Sequence, residues 1–388
     1  MEKFAIGIDI GGTNTALGLV DGAGRVVARG AFATADYPRF GDYPAYAVRL
    51  AGAVGELLRS MPEGAAIEGI GAPNADGRTG RIVQPVNMWR FAPDEADPDP
   101  QRRSFPLCAE LARCFPGVPV RMTNDANAAA WGEMIYGAAR GMSDFIAVTL
   151  GTGVGAGIVC DGRVLEGRGG MAGELGHVTV EPAGRECGCG RRGCLEAYAS
   201  ASGLCRTLAE LMARETTPGP LRGIACDRIE ALTVARAAEA GDPLALEAFA
   251  ATARTLGRAL ADAAALLSPE AIVLSGGVAR SGDLLLEPLR RSFEEALMPA
   301  RRGTIRLLAS ALAADNAAVL GASALVRCDR SAGATDPPVR PIRRCVRSAA
   351  CAGTLCRAGR RCGVFGWPQL FFVRFFCFFR GKDYLCGR

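Results

Sequence analysis

The chain has 388 residues, 49% of them apolar and 22% charged, a balance that excludes a disordered chain and leaves room for two domains of about 100–200 residues each. Its net charge of +5 is uneven: Cys328–Arg388 carries 12 basic residues against three acidic ones, so residues 1–327 stand at −4, and a nucleic-acid partner loses its electrostatic support. No apolar run reaches the roughly 18 residues of a membrane span, and strand-like KFAIGIDI stands where a signal segment would, so a cytoplasmic protein with no membrane partner is expected.

From the N-terminus, FAIGIDI, TALGLVD and RVVARGAF read as three short strands joined by glycine turns, an antiparallel meander. The first turn lies in DIGGTNT. Gly11 and Gly12 let backbone N–H groups approach phosphate oxygens closely, and Thr13 and Thr15 can add hydroxyl contacts. Asp9 ends the strand where a hydrated Mg²⁺ bridging nucleotide phosphates would be held. A tight hairpin with an incidental acid accounts for the same residues equally well.

A helix over YPAYAVRLAGAVGELLRS and a strand at IEGIGAP follow, and the proline-rich stretch 74–104 reads as loop covering a pocket. PVRMTND is a strand leading into the helix ANAAAWGEMIYGAA, with Asn124 and Asp125 at the junction. Either residue could cap that helix, and spacing alone favours the cap over a general base at Asp125.

FIAVTLG, GAGIVCDG and RVLE then repeat the strand–turn–strand–turn–strand pattern. LGTGVGAGIV formally satisfies a dinucleotide fingerprint through Gly151, Gly153 and Ala156, with the acid Glu174 about 20 residues on. A strand follows it instead of a helix, so a second phosphate hairpin is the better reading.

Gly176–Cys194 reads GHVTVEPAGRECGCGRRGC and holds the only histidine of the chain, His177, with Cys187, Cys189 and Cys194. Fifteen cysteines in a small secreted chain would suggest disulfides, but here three cluster beside one histidine in a long chain. One imidazole and three thiolates suit tetrahedral zinc at about 2.0–2.1 and 2.3 Å. With all four positions filled by protein, no place remains for a catalytic water, and the zinc is expected to be structural.

A long helical region over about 230–267, a strand at AIVLSGG, a helix over GDLLLEPLRRSFEEAL, a strand at TIRLLAS and a final helix, DNAAVLGASALVR, complete the pattern. Two copies of one plan predict a duplicated α/β fold with an interdomain cleft. The expected domains are 1–122, completed by a helix at about 315–327, and 123–314, which carries the zinc loop 177–194. The remainder, 328–388, is rich in Arg, Cys and Phe and repeats no ligand spacing or apolar period, so it is expected to be a disordered or artefactual extension.

DIGGTNT, GAPNADGRTG, PVNMW, NDANAAA, LGTGVGAGIV, GELGHV, CGCGRRGCLE and VLSGGV together resemble the ROK family of sugar kinases and repressors, within the actin-like ATPase (ribonuclease H-like) superfamily. The resemblance spans about residues 4–327, and its motifs look most like those of bacterial glucokinases. It implies ATP-dependent phosphorylation of a hexose, most simply glucose to glucose 6-phosphate, with Asp125 as the base that takes the proton from the sugar hydroxyl. It further implies sugar contacts from Asn124, Glu174, His177 and Glu196, with Asn74 and Asn87 as further matches. Phosphate-binding turns would include Gly11, Gly12, Thr13, Thr152 and Gly153, with Asp9 on the Mg²⁺ side and Gly276 and Gly277 at the adenosine. Zinc on His177, Cys187, Cys189 and Cys194, and a homodimer or homotetramer, complete the implied set. Kinases of N-acetylglucosamine, N-acetylmannosamine, mannose or fructose share most of these motifs. The family's sugar-sensing repressors carry an N-terminal winged helix, whereas the phosphate motif here begins at Asp9, so a regulator is the lesser expectation.

Overall fold

A computed structural model describes residues 2–72, 77–83, 104–216, 218–225, 228–313 and 317–327. The chain divides into Met1–Arg330 and Ser331–Arg388. The second unit, and with it the expectation for 328–388, lies outside the described residues, as do Asn74, Asn87 and most of the proline-rich stretch.

Strands β1 (Lys3–Ile10), β2 (Asn14–Asp21) and β3 (Val26–Ala33) form the expected meander, followed by helix α1 (Tyr43–Arg59) and strand β4 (Ala66–Ala72). A two-residue pair, β5 (Ile82–Val83) with β6 (Ser104–Phe105), precedes α2 (Leu107–Cys114) and β7 (Val120–Met122). Helix α3 (Asp125–Ile135) leads to a second set: β8 (Phe145–Leu150), β9 (Val154–Cys160) and β10 (Arg163–Val164). Helices α4 (Glu196–Ala199), α5 (Ala201–Arg214), α6 (Ala231–Glu239) and α7 (Pro243–Leu267) follow, then β11 (Ala271–Ser275), α8 (Asp283–Ala296), β12 (Arg306–Ala309) and α9 (Ala317–Ala324).

The two five-stranded sheets share one topology, β3-β2-β1-β4-β7 and β10-β9-β8-β11-β12. In each, the first three strands pair antiparallel and the last two join in parallel. The duplication expected from the repeated pattern is therefore present strand for strand. Parallel strands require crossovers, and the crossover helices pack on one face of each sheet, α1 and α2 on the first and α5–α8 on the second.

Period-2 alternation in β1 sends Phe4, Ile6, Ile8 and Ile10 into a core with Tyr46, Leu50, Val54 and Leu57 of α1. The opposite face of the same sheet carries glycine. A Cβ on Gly7 would run into the Val319 carbonyl and one on Gly71 into that of Ala322, so α9 lies directly on β1 and β4. In the second sheet, Ile146, Val148, Leu150, Ile272 and Leu274 face α5–α8, while Phe145, Ala147, Ala271 and Val273 face the α3 side.

Helix α3 thus follows a strand of the first sheet yet packs on the second, and α9 follows a strand of the second yet packs on the first. The two helices meet where a Cβ on Gly132 would stand 2.9 Å from Gly321 Cα. The helical region expected over 230–267 is two helices, because Gly241 (φ +84°) turns the chain and Asp242 caps a new start by accepting from Ala245 N at 2.9 Å. Helix α5 was absent from the expected elements. Its signal is Ser200, which caps it by accepting from Gly203 N at 3.1 Å, ahead of Leu204 and Leu208 in the core.

Candidate active site

The carboxyl ends of the parallel strands are where open α/β sheets bind ligands, and most of the expected residues fall there. Asp9 stands next to last in β1, and the turn after it is closed by Gly11 N donating to Asn14 O at 3.0 Å. The Thr13 carbonyl accepts from Ala35 N at 3.1 Å, which ties the turn to the segment following β3. Burial pushes the Asp9 carboxyl above its usual range, because a desolvated carboxylate is held less readily in its charged form. Thr13 is exposed at the turn.

Thr15 is a correction. It shares the α1 face of β2 with Leu17, and its hydroxyl is fully buried between Thr34 Oγ1 at 2.8 Å and Tyr46 Oη at 2.9 Å. That hydroxyl is committed to the core and braces the turn from behind instead of contacting a phosphate.

The second turn, between β8 and β9, is closed by Gly151 N donating to Gly153 O at 3.0 Å and leaves Thr152 exposed. Val154 N donates to Glu196 Oε2 at 3.1 Å, and a Cβ on Gly153 would overlap the same carboxylate. Only glycine lets the turn and Glu196 lie this close. Gly276, after β11, adopts φ +91° with its α-carbon against the backbone of Leu150, and Val278 N donates to Leu150 O at 3.0 Å. The expected adenosine turn, Gly276–Gly277, therefore abuts the strand end from which Gly151–Gly153 springs.

At the β7–α3 junction the capping role falls to Asn124, whose Oδ1 accepts from Asn127 N at 2.7 Å. Asp125 occupies the first helical position, exposed, and is not the cap. The Asn124 amide also donates to Gly170 O at 3.3 Å, which brings the first sheet's strand end to the loop leading into Glu174 and His177.

That loop is seated by its glycines, since a Cβ on Gly173 would overlap the Ala156 carbonyl and one on Gly176 that of Val154. His177 Nε2 lies 3.9 Å from Glu174 Oε2, while Nδ1 faces Cys187 Sγ at 3.8 Å. The donor atoms of His177, Cys187, Cys189 and Cys194 all lie within 4.8 Å of one another. The Cys189–Cys194 sulfur separation of 3.7 Å matches an edge of a zinc tetrahedron with bonds of about 2.3 Å. Burial pushes the Cys187 thiol up to about 12, so a bound cation is what would make it a thiolate at neutral pH. The donor set fits a closed four-ligand metal. Glu196 joins the two halves of the site, with Oε1 3.6 Å from Cys187 Sγ and Oε2 on the second turn.

Sequence reading missed the arginines that hold this loop. Arg191 donates to His177 O at 3.2 Å and to Thr179 Oγ1 at 2.9 Å. Arg185, nearly buried, reaches Glu210 and Thr207. Nothing in the local pattern marks them, because their acceptors are distant in sequence or belong to the backbone.

Comparison with known proteins finds relatives over most of the chain. The model of the ROK family matches residues 5–329. The glucokinase of Thermotoga maritima is 37% identical over 324 residues, which cover 83% of this chain and 96% of that enzyme. The N-acetylmannosamine kinase of Salmonella typhi is 33% identical over 273 residues, 70% of this chain and 82% of that one. Among solved structures, a ROK family glucokinase from Streptomyces griseus in complex with glucose and AMPPNP superposes with a TM-score of 0.65 at 36% identity, covering 84% of this chain and 99% of its own.

Proposed function

The chain belongs to the ROK family, and from that membership we propose that it is an ATP-dependent hexose kinase that phosphorylates glucose. The observation that carries the reading is the 37% identity to a glucokinase across 96% of that enzyme's length. The geometry around Asp125 supports it. Asn124 is the cap of α3, and Asp125 stands exposed at the first position of that helix.

In this reading Asp125 accepts the proton of the sugar hydroxyl as that oxygen bonds the transferred phosphorus and the bond to the ADP oxygen breaks. Phosphoryl transfer needs positioning and charge neutralisation more than a strong nucleophile. The amides of Gly12 and Thr13 and of Thr152 and Gly153 supply it, while the N–H groups of Gly11 and Gly151 hold the two turns closed, and Gly276 and Gly277 receive the adenosine. Mg²⁺, when bound on the Asp9 side, neutralises charge on the phosphates. Asn124, Glu174, His177 and Glu196, with Asn74 and Asn87 outside the described residues, meet the sugar hydroxyls. A site built to hydrogen-bond several hydroxyls rejects a sugar that leaves one unmet.

His177, Cys187, Cys189 and Cys194 would hold zinc, which would order the loop between Glu174 and Glu196 without a chemical role. The ring nitrogen of His177 facing Glu174 is left for the sugar. A cytoplasmic setting suits the reading, since reduced thiols are needed for the metal, and a homodimer or homotetramer is the assembly that the family resemblance implies. The second reading, an N-acetylmannosamine kinase, has in its favour the 33% identity to such an enzyme.

Coupled ADP release over glucose, mannose, fructose, N-acetylglucosamine and N-acetylmannosamine tests both. We expect kcat/KM to be highest for glucose. A higher value for an N-acetylated sugar would reverse the order of the two readings, and no turnover with any hexose would sink the kinase.

A further inference from the structure

The metal loop is fastened from behind by one side chain that the phosphotransfer reading leaves unused. Arg185 lies two residues before Cys187, and its side chain is 9% exposed. Each of its five guanidinium N–H groups has an acceptor. Nε donates to Glu210 Oε1 at 2.9 Å, and Nη2 to Glu210 Oε2 at 2.8 Å and Thr207 Oγ1 at 3.0 Å. Nη1 donates to the carbonyls of Ala197 at 2.9 Å and Gly203 at 3.1 Å. The guanidinium also stacks 4.5 Å from the centroid of the Tyr198 ring, whose hydroxyl accepts from Arg185 N at 2.9 Å.

The backbone thus bridges the loop and α4, while the side chain serves the helices alone. The Arg185 carbonyl accepts from Gly193 N at 2.8 Å, inside the metal loop, whereas every side-chain bond ends on α4 or α5. Ala197, one of its acceptors, follows Glu196 directly. Glu196 in turn touches both Cys187 and the second phosphate turn.

We propose that Arg185 is a positioning residue that sets the loop bearing Cys187 against the helix bearing Glu196, and so fixes both the metal site and the sugar-binding carboxylate. The sugar half rests on the kinase reading above; the metal half stands without it. Lysine cannot replace it fully, since an ammonium has three donors on a flexible stem and cannot reproduce a planar five-donor fork.

The test uses the full-length, zinc-loaded chain, with zinc release to a chromogenic chelator and the KM values for glucose and ATP as readouts. Arg185→Met, which keeps apolar bulk and removes the donors, is expected to release zinc about tenfold faster and to raise the glucose KM about tenfold, the lower end of what supporting bonds around a metal site contribute. The KM for ATP should stay within about twofold of wild type, and Arg185→Lys should fall between the two. Leu289→Ala in α8 serves as the control for a general loss of stability, and it should lower Tm without moving zinc release or the glucose KM.

Unchanged zinc release in Arg185→Met, equal rises in both KM values, or the same changes in Leu289→Ala would overturn the proposal, as would a wild-type chain that takes up no zinc. If Arg185→Met does not fold, Arg185→Lys and Glu210→Gln carry the same comparison. If wild type phosphorylates no hexose, the kinase reading falls and zinc release alone decides the role of Arg185.

Discussion

Two aspartates in this molecule face different demands, and their surroundings separate them. Burial raises the Asp9 carboxyl, so the folded chain holds that proton more tightly than the unfolded chain does. At neutral pH the ionised carboxylate therefore costs stability, and the cost is relieved as pH falls through the raised value. Asp125 is exposed at the first position of α3. Asp9→Asn should melt at a higher temperature than wild type at pH 7, with the difference closing as pH is lowered toward about 4. Asp125→Asn should melt near wild type. Both should lose turnover, Asp125→Asn by about 10²–10⁴, with glucose binding by calorimetry retained in the latter. A Tm for Asp9→Asn below wild type at pH 7 would show that the carboxylate is held by partners and is not strained by burial. From spacing alone Asp125 reads as a cap, and only the family resemblance singles it out as a base. Which neighbour caps that helix was not legible, because Asn124 and Asp125 have equivalent capping chemistry.

At the scale of elements, glycines decide how closely helices approach the sheets. Gly7 and Gly71 lie side by side on β1 and β4 beneath the carbonyls of Val319 and Ala322. Any side chain there pushes α9 off the first sheet, and α9 also packs against α3 through Gly321. Gly71→Ala should lower stability by about 3 kcal/mol, at the upper end of overpacking costs, with the loss read from the denaturant midpoint at unchanged slope. An unchanged midpoint would mean that α9 yields freely. Strands and most helices were legible because their signals are local: period-2 apolar alternation, glycine turns, a proline after Asp242. Helix α5 escaped because only Ser200 separates it from α4, behind the metal loop, and that residue is both the N-cap of α5 and the C-cap of α4.

For the molecule as a whole, closure is made at Arg327. Its side chain is 8% exposed and lies across the first sheet. Nη2 donates to Val20 O at 3.0 Å and Nη1 to Asp21 O at 2.5 Å, and the guanidinium stands 5.6 Å from the Tyr136 ring. Nε lies 2.9 Å from Glu68 Oε2 but off the line of a hydrogen bond, so that contact is an ion pair only. The family match ends at residue 329, close to this point. A chain ending at Arg327 should keep the kcat, KM and Tm of the full chain, whereas one ending at Leu325 should melt lower. A shortened chain with altered KM would show that Cys328–Arg388 takes part in the site. The −4 charge of residues 1–327 offers no basic surface to a polyanionic partner.

The sequence alone determined the duplicated α/β plan, the two phosphate-type turns and the His177–Cys187–Cys189–Cys194 set. Each of these is written in residues a few positions apart, where glycine conformation, strand period and ligand spacing act over short range. Tertiary structure alone decided that α3 and α9 exchange sheets, because helix placement follows from the close approach of Gly7, Gly71, Gly132 and Gly321 to backbones far away in the chain. It also turned the Thr15 hydroxyl from ligand to brace, since only folding brings Thr34 and Tyr46 to it. The same is true of Arg185, whose five acceptors belong to helices that come after the metal loop in sequence and lie behind it in space.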